Sequence, residues 1–297
     1  MTTSTPPSIA VFGEVLMDQF PDGQLILGGA PFNVAWHLQA FGLNPQFISR
    51  VGADPLGASI RQAMLGWGMT VGQLQTDTVH PTGVVAVSLV EDEPHYEILP
   101  GQAYDFIEAD ALPADSYSVL YHGTLALRQP TSEQAVNALL ARHQGKVFVD
   151  VNLRAPWWHK AAVLQWLHHA DWVKLNQEEL LLLSPPHDSL PAAMAAFLQT
   201  YDLAVLVVTC GSEGAMALTA AGAWVKVAPA ENTPLVDSVG AGDAFAAVLL
   251  LGLLRDWPLA YTMARAQDFA SAMVGQRGAT VSEAGFYQAF VQAWPLR

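Results

Sequence analysis

Short runs of β-branched and other apolar residues recur along the chain, at residues 9–12, 47–51, 119–122, 147–151, 172–175 and 204–209. Each run is too short for a helix and is bounded by polar or turn residues, which predicts buried strands. Between the runs the apolar spacing changes to three and four. Pro31 opens one such stretch, Val34, Leu38 and Phe41 share its face, and Gly42 ends it. That is the pattern of a helix with proline in its first turn and glycine just past its end. Ser132, ahead of Val136, Leu139 and Leu140, is expected to cap another helix. Residues 244–254 are almost continuously apolar, which predicts a buried helix. Strands alternating with helices give an α/β fold, a doubly wound and mostly parallel sheet flanked by helices.

Two segments break this rhythm. Residues 83–90 read as a strand, 91–94 as a polar turn and 95–99 as a second strand. Residues 14–27, with Pro21-Asp22-Gly23 in their middle, read as a hairpin. Together the segments 14–32 and 82–105 predict a small β-sheet projecting from the main body, as a lid or as a dimer contact. A further hairpin is expected where 215–219 and 224–228 flank Ala221-Gly222. No repeat, low-complexity tract or long linker interrupts residues 1–297, so a single domain is expected.

Composition narrows the partners. Only 13 Lys and Arg stand against 27 Asp and Glu, a net charge of −14, and the cations are scattered. Binding nucleic acid needs them clustered, so that class is excluded. The single cysteine, Cys210, leaves no intramolecular disulfide and no cysteine zinc cluster. The polar start and the absence of an apolar run near the ~20 residues of a membrane span point to a cytoplasmic protein.

The strongest candidate chemistry lies in Asp237-Ser238-Val239-Gly240-Ala241-Gly242-Asp243. Two glycines just before an apolar helix leave backbone N–H groups free at its N-terminus, where they and the helix dipole attract phosphate. Asp243 then stands in the first turn, ionised and suited to take a hydroxyl proton. A Gly-rich turn with an acidic residue at a helix start is the plainer alternative. Gly28-Gly29 before Pro31, with Asn33 in the next turn, lets a polyhydroxyl ligand approach the backbone, or simply forms a tight turn. Asp18 lies in an apolar strand, where a carboxylate either holds vicinal hydroxyls or is solvated at the strand's end. Asn176 and Glu179 share one face of a helical first turn, spaced either for a hydrated magnesium ion or for a capping box. Arg154 follows a buried strand in Asp150-Val151-Asn152-Leu153-Arg154, where it can meet a phosphate or a hydroxyl, or cover Trp157 or Trp158. Thr209-Cys210-Gly211-Ser212-Glu213-Gly214 offers a Gly-rich edge after another strand. There is no Gly-x-x-x-x-Gly-Lys-Ser/Thr loop and no His-Glu-x-x-His pair.

In this order, from Gly13 to about residue 280, the pieces resemble the ribokinase (PfkB) family of carbohydrate kinases. Its two signatures are matched by Gly28-Gly29 to Asn33 and by Asp237 to Asp243. The resemblance implies a ribokinase-like fold with a β lid. It implies ATP, Mg²⁺ and a K⁺ site as cofactors, and a sugar and ATP as partners. It implies Asp243 as catalytic base, with Gly240, Ala241 and Gly242 as an anion hole. Asp18, Gly28, Gly29, Asn33 and Arg154 would hold the sugar. Asn176, Thr209, Gly211, Gly214 and Gln267 would line the nucleotide. Glu179 would serve magnesium through water, and the carbonyls around Asp237 and Gly278-Ala279 would hold K⁺. Within the family, Gly13-Glu14 with Asp18, Ala30-Pro31 and Asp150-x-Asn152-x-Arg154 look most like fructokinases. Ser238 stands where Thr is common, Gln267 where Asn is common, and residues 96–105 lack the expected aromatic-Arg pattern. The same chemistry on 2-keto-3-deoxygluconate, ribose or a nucleoside, and a non-catalytic sugar sensor, are the rival readings. A homodimer through the lid sheet is also expected.

Overall fold

A computed structural model describes residues 8–90, 93–112, 116–230 and 236–294. Glu91 and Asp92 of the expected turn, and the polar start before Ser8, lie outside the described residues. The main sheet runs, in spatial order, Trp224–Val227, Ala215–Thr219, Val205–Thr209, Trp172–Asn176, Lys146–Asp150, Val119–His122, Ile9–Phe12, Gln46–Gly52 and Leu74–Asp77. From Val205–Thr209 to Leu74–Asp77 every pairing is parallel, and the hairpin at the other edge joins antiparallel.

Strand periodicity explains why these segments are apolar throughout. Ile9, Val11, Tyr121, Val205 and Val207 point to one face, against the helices Ala30–Ala40, Ala241–Leu254, Leu259–Met273 and Ala284–Ala293. Ala10, Phe12, Leu120, Leu206 and Val208 point to the other, against Pro130–Arg142, Lys160–Leu167, Gln177–Leu183 and Leu190–Thr200. A sheet covered on both faces has no side left for polar residues.

The chain begins in the central strand Ile9–Phe12 and adds Gln46–Gly52 and Leu74–Asp77 on one side. It then builds outward on the other side from Val119–His122. Strand order therefore reverses between Ile9–Phe12 and Val119–His122, the kind of switch point at whose carboxyl ends open α/β sheets hold ligands.

A second sheet has the order Leu25–Gly28, Leu16–Gln19, Gly83–Val90, Glu93–Ile98. Leu16 and Val85 on its inner face pack with Tyr104, Leu125 and Ala126 of the main body. The segment expected to end at residue 32 stops earlier, because Ala30 already starts a helix. Likewise Ala103–Phe106 is a 3₁₀ turn whose Tyr104 is fully buried.

Ser132 is not a cap. The helix starts at Pro130 behind Gln129, and the Ser132 hydroxyl donates to the Tyr104 carbonyl at 2.8 Å while accepting from Ile107 N–H at 2.9 Å. The proline at the first position was the true start signal. Among the described residues no helix is long and apolar enough to cross a membrane.

Candidate active site

Gly240 caps the helix Ala241–Leu254 in the left-handed region, with φ 80°, and a Cβ there would collide with Ala279. Only glycine meets both demands. Asp237 shapes the turn: Oδ1 accepts from Val239 N–H at 2.9 Å, and Oδ2 from Gly278 N–H at 3.0 Å. Ala241 N–H has only a long approach to the Ser238 carbonyl, 3.4 Å. First-turn amides at Ala241, Gly242 and Asp243 thus face outward with the positive end of the helix dipole behind them, a cradle for an anionic group.

Asp243 sits half-buried in that first turn, and its Oδ2 accepts from Asn33 Nδ2 at 2.8 Å. Burial pushes its carboxyl up to about 6; Asp150 adds to the rise, while Asn33, Lys174 and Arg154 oppose it. Desolvation thus opposes the ionisation that a helix start favours. At pH 7 roughly nine in ten copies remain ionised, and the raised value makes a stronger base than a solvated aspartate.

Asn33 reaches Asp243 because the helix Ala30–Ala40 starts directly after Gly29, which adopts φ 111°. A Cβ on Gly29 would lie 2.7 Å from the Glu14 carbonyl oxygen, so the segment after the first strand and this helix meet through a glycine. The other amide atom, Asn33 Oδ1, is buried without a partner, the kind of unsatisfied acceptor that marks a functional site. Asp18 is opposite Ile26 and Val85 in the small sheet, and its carboxylate faces Gly28, whose Cβ would lie 3.4 Å from Oδ2. Burial pushes Asp18 up to about 6 and the charge of Arg154 pulls it back. Arg154 itself is exposed, yet its charge is felt at Glu14, Asp18 and Asp243, which places it near all three carboxylates. Tyr96 on the outer strand of the small sheet feels both Asp18 and Asp237, which brings that strand near the Gly240 turn.

Next along the main sheet, Asn176 and Thr209 are register partners at the carboxyl ends of their strands. Asn176 and Glu179 form a complete capping box. Asn176 Oδ1 accepts from Glu179 N–H at 2.8 Å, and Glu179 Oε2 accepts from Asn176 N–H at 2.8 Å. The remaining oxygen, Glu179 Oε1, accepts from Leu153 N–H at 2.7 Å. Gly211 and Gly214 both take positive φ in the turn after Thr209, which the 2.8 Å bond from Cys210 N–H to the Gly214 carbonyl closes. A Cβ on Gly214 would collide with the Val227 backbone, so this glycine also answers to packing. Gln267, on the helix Leu259–Met273, donates to Ser271 Oγ at 3.0 Å.

Sequence reasoning missed a buried ion pair below the cradle. Lys174 Nζ donates to both oxygens of Asp150, at 2.8 and 2.9 Å, with both side chains nearly sealed from solvent. A Cβ on Gly242 would lie 3.7 Å from Lys174 Nζ, so the ammonium lies next to the helix N-terminus. A lysine within the apolar strand Trp172–Asn176 was the available signal. Glu14 was also missed. It is buried, its Oε2 has no partner, and burial pushes its carboxyl up to about 7.

Comparison with known proteins finds relatives over most of the chain. The family model described as pfkB family carbohydrate kinase matches residues 6–284. A fructokinase of Escherichia coli is 35% identical over 258 residues, covering 82% of this chain and 83% of its own. Among solved structures, a Vibrio cholerae fructokinase bound to fructose, ADP and calcium superposes with a TM-score of 0.82 at 26% identity, covering 96% of this chain and 99% of its own. Another form of that fructokinase carries fructose, ADP and potassium. Aminoimidazole riboside kinase from Salmonella enterica, complexed with its riboside and an ATP analog, gives a TM-score of 0.83 at 25% identity, covering 96% and 99%.

Proposed function

The chain belongs to the pfkB family of carbohydrate kinases, and on that premise we propose that it phosphorylates fructose, with Asp243 as the base. It is an ATP-dependent sugar kinase. Support for the sugar comes from the fructokinase relative and the fructose-bound neighbour. The observation that carries the mechanism is the Asn33 amide on Asp243, beside the Gly240 turn at the switch point of the sheet.

In this reading Asp18, Gly28, Gly29 and Asn33 hold the sugar, with Asp18 accepting hydroxyl hydrogen bonds and Asn33 Oδ1 taking another. Asp243 Oδ1 accepts the proton of the attacking hydroxyl while Asn33 keeps Oδ2 in place. The amides of Ala241, Gly242 and Asp243 receive the charge that gathers on the transferring group, and Arg154 screens it from the crevice rim. Thr209, Gly211, Gly214, Asn176 and Gln267 line the nucleotide. The small sheet, made of Leu16–Gln19, Leu25–Gly28, Gly83–Val90 and Glu93–Ile98, acts as the lid of a single domain and keeps water from the reacting group.

Magnesium would neutralise charge between the phosphates. Both Glu179 oxygens already accept backbone N–H groups, so this residue fits a hydrated ion through a bound water and does not fit direct coordination. Asp237 likewise spends its carboxylate on Val239 and Gly278. For K⁺ it offers its backbone carbonyl alone, while the Ala279 carbonyl already faces His37 Nε2 at 3.1 Å. The exposed Leu25 and Tyr96 on the outer strands of the small sheet support a homodimer through that sheet. A single cysteine and the acidic composition support a cytoplasmic protein.

A panel of sugars and nucleosides with ATP and magnesium, read as ADP release, tests the substrate. Fructose is expected to give the highest kcat/KM. A nucleoside or keto acid exceeding fructose tenfold would overturn the sugar assignment.

A further inference from the structure

We propose that His37 and Trp36 are positioning residues for phosphoryl transfer: they hold the loop 279–281 against Gly240 and so fix the phosphate cradle from the helix that also carries Asn33. The inference rests on reading the Gly240 turn as that cradle.

His37 is fully buried, one helical turn beyond Asn33 and therefore on the same face of the helix Ala30–Ala40. Its Nε2 lies 3.1 Å from the Ala279 carbonyl and its Nδ1 2.9 Å from the Tyr287 hydroxyl. A carbonyl can only accept, so Nε2 carries the proton and Nδ1 accepts from the tyrosine. Both ring nitrogens are thus engaged in the interior, which fixes the ring's orientation. Tyr287 Oη in turn accepts from Val281 N–H at 3.4 Å. The neighbouring Trp36 donates through Nε1 to the Val281 carbonyl at 3.0 Å. Three side-chain contacts thus hold the backbone of two residues, Ala279 and Val281, in the interior.

What that backbone touches gives the clamp its purpose. Ala279 lies so close to Gly240 that no Cβ fits between them, and Gly278 N–H is tied to Asp237 at the start of the same turn. A shift of residues 279–281 would release Gly240 and re-aim the amides behind it. One helix face therefore fixes the base through Asn33 and the anion donors through His37 and Trp36, two groups that must agree to a fraction of an ångström.

The test compares matched variants in steady-state kinetics with melting curves, beside Asp243→Asn as a control. Gln places an amide N–H where Nε2 stood, whereas Asn is too short to reach Ala279. His37→Gln is expected within about threefold of wild-type kcat. His37→Asn is expected to lose about tenfold or more, with the KM for sugar within twofold, because the cradle acts in the transition state. Trp36→Phe keeps an aromatic ring beside Trp67 and removes the indole N–H bonded to Val281, at the cost of some buried ring volume. It is expected to fold normally and lose kcat about threefold to tenfold. A loss in His37→Asn that appears equally in His37→Gln, or a Trp36→Phe enzyme at wild-type kcat, would overturn the inference. If Asp243→Asn is inactive in either case, the inference falls alone. An active Asp243→Asn enzyme would bring down the site reading and the inference together.

Discussion

Replacing Lys174 with Met should unsettle this protein more than most single substitutions. The ammonium donates to both oxygens of Asp150, and the two side chains are 8% and 2% exposed. Met fills similar space without charge, which leaves Asp150 buried and uncompensated except for a 3.4 Å contact from Tyr121 Oη. Breaking a buried pair from one side costs about 3–5 kcal/mol. At about 2–4 °C per kcal/mol, and nearer the lower figure for a chain this long, the melting temperature should fall roughly 6–12 °C. The charges of Asp243 and Glu179 lie close enough to act on Lys174, so activity should fall in the folded fraction too. The double variant Lys174→Met/Asp150→Leu removes both charges and should recover most of the stability, since an apolar replacement of a buried pair is often neutral or better. Urea unfolding of the four members of the cycle gives the coupling energy directly. A Lys174→Met protein within 1 kcal/mol of wild type would refute the reasoning, as would a double variant less stable than either single one.

Three further outcomes follow from the site. Asp18→Ala removes a carboxylate expected to accept charge-assisted hydrogen bonds of about 1.5–3 kcal/mol; the sugar KM should rise about 10–150-fold with ATP binding unchanged. With Asp243 raised to about 6, kcat/KM should decline as pH falls through that value, because the base works only when ionised. A profile flat from pH 7.5 to 5 would dissociate Asp243 from the rate. Glu14 is raised from 4.5 to about 7 by burial, so its contribution to stability is full below the unfolded value and lost as pH rises through the folded one. Glu14→Gln should therefore gain on the order of 3 kcal/mol at pH 8 and little at pH 4, measured by denaturation across pH.

Much of the architecture was legible because its determinants are local. The run Val205–Thr209 had to be a strand buried on both faces, and Pro31 with Gly42 bracketed a helix within one residue of its observed limits. Gly240 and Asp243 were legible for the same reason: a left-handed cap and a first-turn acid lie within four residues of each other. What escaped depends on partners distant in sequence. Ser132 has the right chemistry for a cap, but Tyr104 and Ile107 claim its hydroxyl. Lys174 meets Asp150 only after two strands pair, and His37 meets Ala279 across 242 positions. Asn176 and Glu179 were spaced for two roles, and the bonds to backbone fill the structural one first. The ionisation of Asp243 could not be judged either, since its burial is made by the whole crevice.

The central claim is that Asp243 takes the hydroxyl proton in phosphoryl transfer to the sugar. Asp243→Asn is nearly isosteric and keeps a polar group beside Asn33 and the cradle, but it cannot act as the base. Calorimetric binding of sugar and ATP should stay within a few-fold of wild type. The single-turnover rate on the same folded protein should fall by roughly 10²–10⁴, about 3–5 kcal/mol of barrier. A variant that keeps more than a third of the wild-type rate would contradict the account, leaving Asp243 a first-turn carboxylate and the mechanism without a base.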